Sequence, residues 1–294
     1  MSYTDDINKL ADHVPEIIVD FKSVQKKGKA PTQAFSDFLT HKAQGDWAEG
    51  LIFNAIKEMD SDYVPIKYGK SDELTAGDPE FKSFYDSYQK ELSLIGKRPD
   101  ILLYTRKSHD NSFGEDISTL SQGDLDRIVP NAFAGFEVRS SAYLTRKFAT
   151  SDSRANLSFT PKSEDLVVVK KWINTYKVPH FYVQVFFDNI YIIPFKKILH
   201  LLSSVTINSS NKKITGKIDD RLVFDVERNP KNQFKSTLHF LLNNGTEIGS
   251  ITEPPKIIAK QKELNNGRLL HYVSFEGGKA VLDAKNFHDS ILYS

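Results

Sequence analysis

Apolar residues recur at helical spacing near the start of the chain. Ile7, Leu10, Val14, Ile17 and Ile18 form one such row, with Pro15 marking a break, so residues 6 to 40 predict a peripheral helical segment. The next helix is expected from Asp46, a good N-cap, to about Met59. Trp47, Leu51, Ala55 and Met59 make one apolar row of it, and Ile52, Phe53 and Ile56 make another, three, four and seven positions after Glu49. A strand near Tyr63 to Tyr68 and a short helix near Pro79 to Leu94 follow. Two short apolar segments come next, Ile101 to Tyr104 and Ala134 to Val138, separated by a polar excursion over 105 to 131. Thr160-Pro161 predicts a helix start, with Glu164 and Asp165 in the first turn and Leu166, Val169, Ile173 and Tyr176 at helical spacing up to Pro179. His180 to Phe187 and Ile190 to Pro194 read as strands around an Asp188-Asn189 turn, and Phe195 to Ser203 as a helix. Beyond Val205, short β-like segments alternate with turns, among them the hairpin signals Asn243-Asn244-Gly245 and Asn265-Asn266-Gly267.

Composition narrows the class without naming a function. The chain has 294 residues, 39% of them hydrophobic, which is enough for a sizeable core. It has no cysteine, so disulfides and thiolate metal sites are excluded and a reducing, cytoplasmic setting is expected. No apolar run approaches the roughly 20 residues needed to cross a bilayer, and no membrane partner is expected. The 39 Lys and Arg balance the 38 Asp and Glu. Locally the balance shifts: from Arg139 to Trp172 there are seven cations and three anions, an excess suited either to phosphates or simply to solvent.

Two carboxylates lie where predicted strands meet solvent, in Lys97-Arg98-Pro99-Asp100-Ile101 and in Gly135-Phe136-Glu137-Val138-Arg139. On neighbouring strands, Asp100 and Glu137 could share one hard divalent cation, with the Val138 carbonyl between the motif positions. Alternatively, they cap turns or pair with Arg98 and Arg139. Glu49 also has two readings: an acid in a first helical turn favouring the dipole, or a carboxylate at the head of an apolar face, costly there without a partner. None of the eight histidines falls at zinc-ligand spacing, and no phosphate loop or nucleophile elbow is present.

The Pro-Asp and Glu-x-Arg pair, the ordered elements around it and the string Glu-Val-Arg-Ser-Ser-Ala-Tyr resemble the PD-(D/E)XK nuclease superfamily, specifically its type II restriction endonucleases. The resemblance implies an α/β (α+β) fold with an αβββαβ core on a mixed sheet. The expected organisation is an N-terminal helical segment over 1–43, a catalytic core over 44–204, and a C-terminal β-rich part over 205–294 for DNA recognition or dimerisation. It implies magnesium held by Asp100, Glu137 and the Val138 carbonyl, with Glu49 and Arg139 assisting. Arg139 stands where the motif usually has lysine, and arginine is a poor proton acceptor. The amine is therefore sought at Lys162, just ahead of the Glu164-Asp165 helix start, or at Lys147.

Arg146, Lys147 and Arg154 are the expected DNA contacts. The expected activity is magnesium-dependent cleavage of double-stranded DNA at a short palindromic site by a homodimer, with a cognate DNA methyltransferase in the host. A repair or junction nuclease, and a catalytically inactive DNA-binding module, are the alternatives.

Overall fold

A computed structural model describes residues 2–22, 29–70, 74–148, 157–209, 214–228 and 236–292. Its first half contains α1 (Tyr3–Asp12), α2 (Ser36–Glu58), β1 (Tyr63–Lys67), α3 (Phe81–Ile95), β2 (Ile101–Thr105), α4 (Gln122–Ile128), β3 (Ala134–Ser140), β4 (Ser158–Phe159), α5 (Ser163–Tyr176), β5 (His180–Val185), β6 (Asn189–Pro194) and α6 (Phe195–Ser204). The second half is mostly β: β7 (Thr206–Ser209), β8 (Ile214–Ile218), β9 (Arg221–Arg228), β10 (Ser236–Leu241), β11 (Thr246–Glu253), β12 (Lys256–Glu263), β13 (Leu269–Glu276) and β14 (Lys279–Leu282), then α7 (Ala284–Leu292).

A seven-stranded mixed sheet in the order β1-β2-β3-β5-β6-β11-β14 forms the centre. β1, β2 and β3 make an antiparallel meander, α5 crosses over, and β5 returns parallel to β3. Preceded by α2, this is the expected αβββαβ order. Every residue of β5 is buried, as are the first five of β3, in keeping with a parallel pair covered on both faces. One apolar layer gathers α1, α5 and α6 around Trp172, Tyr182 and Leu199; the opposite layer packs α2 and α7 on Phe136, Phe181 and Val183.

Several local expectations need correction. Helix α2 begins ten residues before Asp46, capped at Phe35 without a side-chain hydrogen bond; Asp46 lies inside it and pairs with Lys42 at 2.8 Å. Glu49 is therefore mid-helix, which removes the first-turn reading. Pro161 precedes α5, whose N-cap is Lys162, because Ser158–Phe159 is drawn into a strand against β10. Asn243-Asn244-Gly245 closes no hairpin: β10 belongs to a five-stranded sheet, whereas β11 pairs with β6 in the central one. Asn265-Asn266-Gly267 does lie in the β12–β13 hairpin, with Gly267 at φ +78°. Beyond α6, β11 and β14 return the chain to the central sheet.

Candidate active site

The register of β2 against β3 decides where the two motif acids fall. Ile101 faces Phe136 in the last pair of the ladder, so Asp100, just before β2, and Glu137, just after Phe136, lie at its end and line the same cleft. The Asp100 backbone N–H donates to the Phe136 carbonyl at 2.9 Å. The Val138 N–H donates to Asp100 Oδ2 at 2.7 Å. Because the N–H and C=O of one strand residue face the same neighbour, the Val138 carbonyl points to this edge too.

A cleft of about 750 Å³ opens at this end of the sheet, and Glu49, Asp100, Glu137, Val138, Arg139 and Lys162 all line it. Each of the five residues assigned a catalytic role from the sequence therefore reaches one cavity. Two further residues complete the cluster. Lys97 Nζ donates to Glu137 Oε1 and lies 3.7 Å from Asp165 Oδ2. Arg139 Nη2 bridges Glu137 Oε1 at 2.9 Å and Asp165 Oδ2 at 2.6 Å. Glu137 is buried, and its other oxygen, Oε2, has no hydrogen-bond partner among the described residues. The alternative pairing is thus half realised: Arg139 pairs with Glu137, while Arg98 turns away to Glu91 at 2.6 Å.

Sequence reasoning missed Lys97 and the inward role of Asp165. In sequence, Asp165 reads as an ordinary first-turn acid. Lys97 belongs to the same motif stretch as Asp100, but only the fold shows that a residue three before Asp100 can reach back to Glu137.

The electrostatics are those of crowded acids. Burial, followed by the charges of Asp46 and Glu137, pushes the Glu49 carboxyl up to about 7. Burial, then Glu49 and Glu137, holds the Asp100 carboxyl well above the ordinary aspartate range. Burial alone would raise Asp165 as well, but Lys97, Arg139 and Lys162 outweigh it and keep its carboxyl low. In chelator, Glu49 should therefore destabilise the fold as pH rises. Its folded value of about 7 exceeds the ordinary 4.5, so its stabilising effect is complete below about pH 4.5 and is lost by about pH 7. The loss is at most about 3 kcal/mol. Urea unfolding across this range should show a shallower decline for Glu49→Gln, and equal slopes would remove the assignment.

This donor set suits a hard divalent cation. It offers crowded carboxylates, an orphaned buried oxygen on Glu137 and a carbonyl at the same edge. Among the described residues, no group of three or more His, Asp or Glu forms a ready-made cage. That fits an ion held by one or two carboxylates, with waters and substrate phosphate supplying the rest.

The expected DNA contacts lie elsewhere or out of view. Thr145–Lys147 form a short 3-10 turn after β3, and the backbone N–H groups of Thr145 and Arg146 donate to Asp188 at 2.8 and 3.1 Å. Arg146 and Lys147 are not among the residues lining the cleft. Arg154 lies outside the described residues.

A model of the AccI restriction endonuclease family matches residues 1–153 and 149–293, nearly the whole chain. The chain belongs to the AccI restriction endonuclease family. It is accordingly a type II restriction endonuclease, a hydrolase that cuts DNA. No curated protein and no solved structure matches it. Restriction endonucleases generally use a divalent metal, and the crowded acids of this AccI-family chain are its candidate ligands. No helix among the described residues is long and apolar enough to cross a membrane.

Proposed function

We propose that this protein is a magnesium-dependent nuclease of the PD-(D/E)XK type, acting in the cytoplasm as a homodimer on a short palindromic site in double-stranded DNA. A cognate methyltransferase would protect the host's own sites. The observation that carries the reading is the convergence of Asp100 and Glu137 on one cleft, with Asp100 Oδ2 fixed by the Val138 N–H.

Bound magnesium would supply charge stabilisation at the phosphoryl oxygens and activation of a water. Asp100, Glu137 and the Val138 carbonyl are the proposed holders of the ion, and Glu49 adds negative charge at their side. Arg139, tied to Glu137 and Asp165, orients the Glu137 carboxylate. Lys162, at the α5 N-cap, adds positive charge beside Asp165 at the cleft wall. Arg146, Lys147 and Arg154 are proposed to meet the DNA backbone or base edges beyond the cleft. Palindromic sites match two-fold symmetric proteins, and the C-terminal strands are the proposed source of recognition or dimer contacts.

Incubation with magnesium and a plasmid of known sequence should give a fixed set of fragments, and none with chelator present. Cutting only at branched or damaged DNA would favour a repair or junction nuclease. Binding with no cleavage in any divalent metal would favour an inactive DNA-binding module.

A further inference from the structure

Arg139 occupies the motif position where an amine is expected, yet the structure commits its guanidinium to carboxylates, with Nη2 shared between Glu137 and Asp165. An arginine fork so engaged cannot substitute for a compact ammonium with three rotatable donors. Lys162, the amine expected from sequence, caps α5 at the cleft wall, and among the described residues no hydrogen bond or ion pair joins its side chain to Glu137 or Asp100.

Lys97 has the geometry that Lys162 lacks. It sits on the extended segment between α3 and β2 that also presents Asp100, so one stretch of chain delivers both groups to the cleft. Its placement is fixed at both ends. The Lys97 backbone N–H donates to the Val168 carbonyl of α5 at 3.0 Å. Two residues on, Pro99 packs so closely on β3 that a Cβ at Gly135 would lie 2.7 Å from Pro99 Cγ. The ammonium then meets Glu137 Oε1, the acid oxygen that Arg139 also touches. The amine that the motif would have carried two residues after the acid thus arrives from three residues before the aspartate, at the same carboxylate.

We propose that Lys97 is the catalytic amine of this enzyme: its ammonium, anchored on Glu137, orients the attacking water and faces the charge that builds on the scissile phosphate. One Nζ donor serves Glu137, Asp165 Oδ2 lies 3.7 Å away, and the remaining donors are assigned to water and phosphate oxygen. This rests on the nuclease reading above, so the wild-type protein must first yield defined fragments with magnesium; should it not, the nuclease reading fails before Lys97 is tested.

Single-turnover cleavage with magnesium is compared with DNA binding in calcium and with thermal unfolding, using full-length Lys97→Ala and Lys97→Arg. Loss of one preorganised charge at the reacting phosphate costs about 10²- to 10³-fold in rate. Lys97→Ala should show that loss while binding DNA in calcium within about threefold of wild type. Lys97→Arg keeps the charge opposite Glu137, and with it the fold, but should still cleave at least about tenfold more slowly, because a planar fork replaces a point donor. Lys162→Ala should slow cleavage less than Lys97→Ala does. The proposal is overturned if either Lys97 variant cleaves within about threefold of wild type, if binding in calcium falls in step with cleavage, or if Lys162→Ala alone removes the activity.

Discussion

Asp100→Asn and Glu137→Gln should each cut DNA at least about 10³-fold more slowly than wild type and still bind it in calcium. The magnitude follows from the several kcal/mol of charge stabilisation that a correctly held divalent ion supplies, at about 1.4 kcal/mol per tenfold in rate. The isosteric changes matter here. The amide oxygen left by Asp100→Asn can still accept from the Val138 N–H, which keeps the β2–β3 junction intact. Removing a like charge from the cluster of Glu49, Asp100 and Glu137 should leave the chelated Asp100→Asn variant at least as stable as wild type. A residue that merely held the fold would behave in the opposite way, losing stability and activity together. Full cleavage in either variant, or a fall in the stability of Asp100→Asn matching its fall in rate, would discard the assignment of these two acids.

The core was legible because its signals are local. The apolar runs at 101–104 and, around Glu137, at 134–138, a helix with acids in its first turn, and the β-rich run from His180 each fix an element type within a few residues, and their order fixes the αβββαβ core. Asp100 and Glu137 were legible for the same reason: one directly precedes an apolar run and the other interrupts one.

What sequence could not give depends on contacts between distant segments. Helix α2 as a whole carries weak amphipathic patterning, and its first turns serve the cleft on one side and β13 on another, where the Val273 N–H donates to Thr40 Oγ1 at 3.4 Å. The return of β11 and β14 to the central sheet is a matter of pairing partner, and strand patterning says nothing about partners. Lys97 escaped because a lysine beside an arginine in a polar connector reads as solvent-exposed; only the passage of that connector over α5 turns it inward.

That passage depends on one glycine, and Gly96→Ala should be strongly destabilising. Gly96 caps α3 with φ +91° and ψ −168°, a region essentially closed to side-chain-bearing residues. A Cβ there would also run into the Val168 carbonyl oxygen and the Trp172 backbone nitrogen. Backbone strain of about 1–3 kcal/mol and overpacking of about 1–3 kcal/mol act together. At about 2 °C per kcal/mol for a chain of this size, the unfolding midpoint should fall by about 4–12 °C. Gly114 separates the two causes, since its φ +71° and ψ −163° are nearly the same but open space surrounds its Cβ position. Gly114→Ala should therefore suffer the strain alone, with a loss of about 2–6 °C. Any α5 displacement in Gly96→Ala moves the carbonyl that anchors Lys97, so the residual folded protein should also cleave slowly. Equal midpoints for the two alanine variants would show that α5 does not press on this turn, and the placement of Lys97 against Glu137 would lose its support.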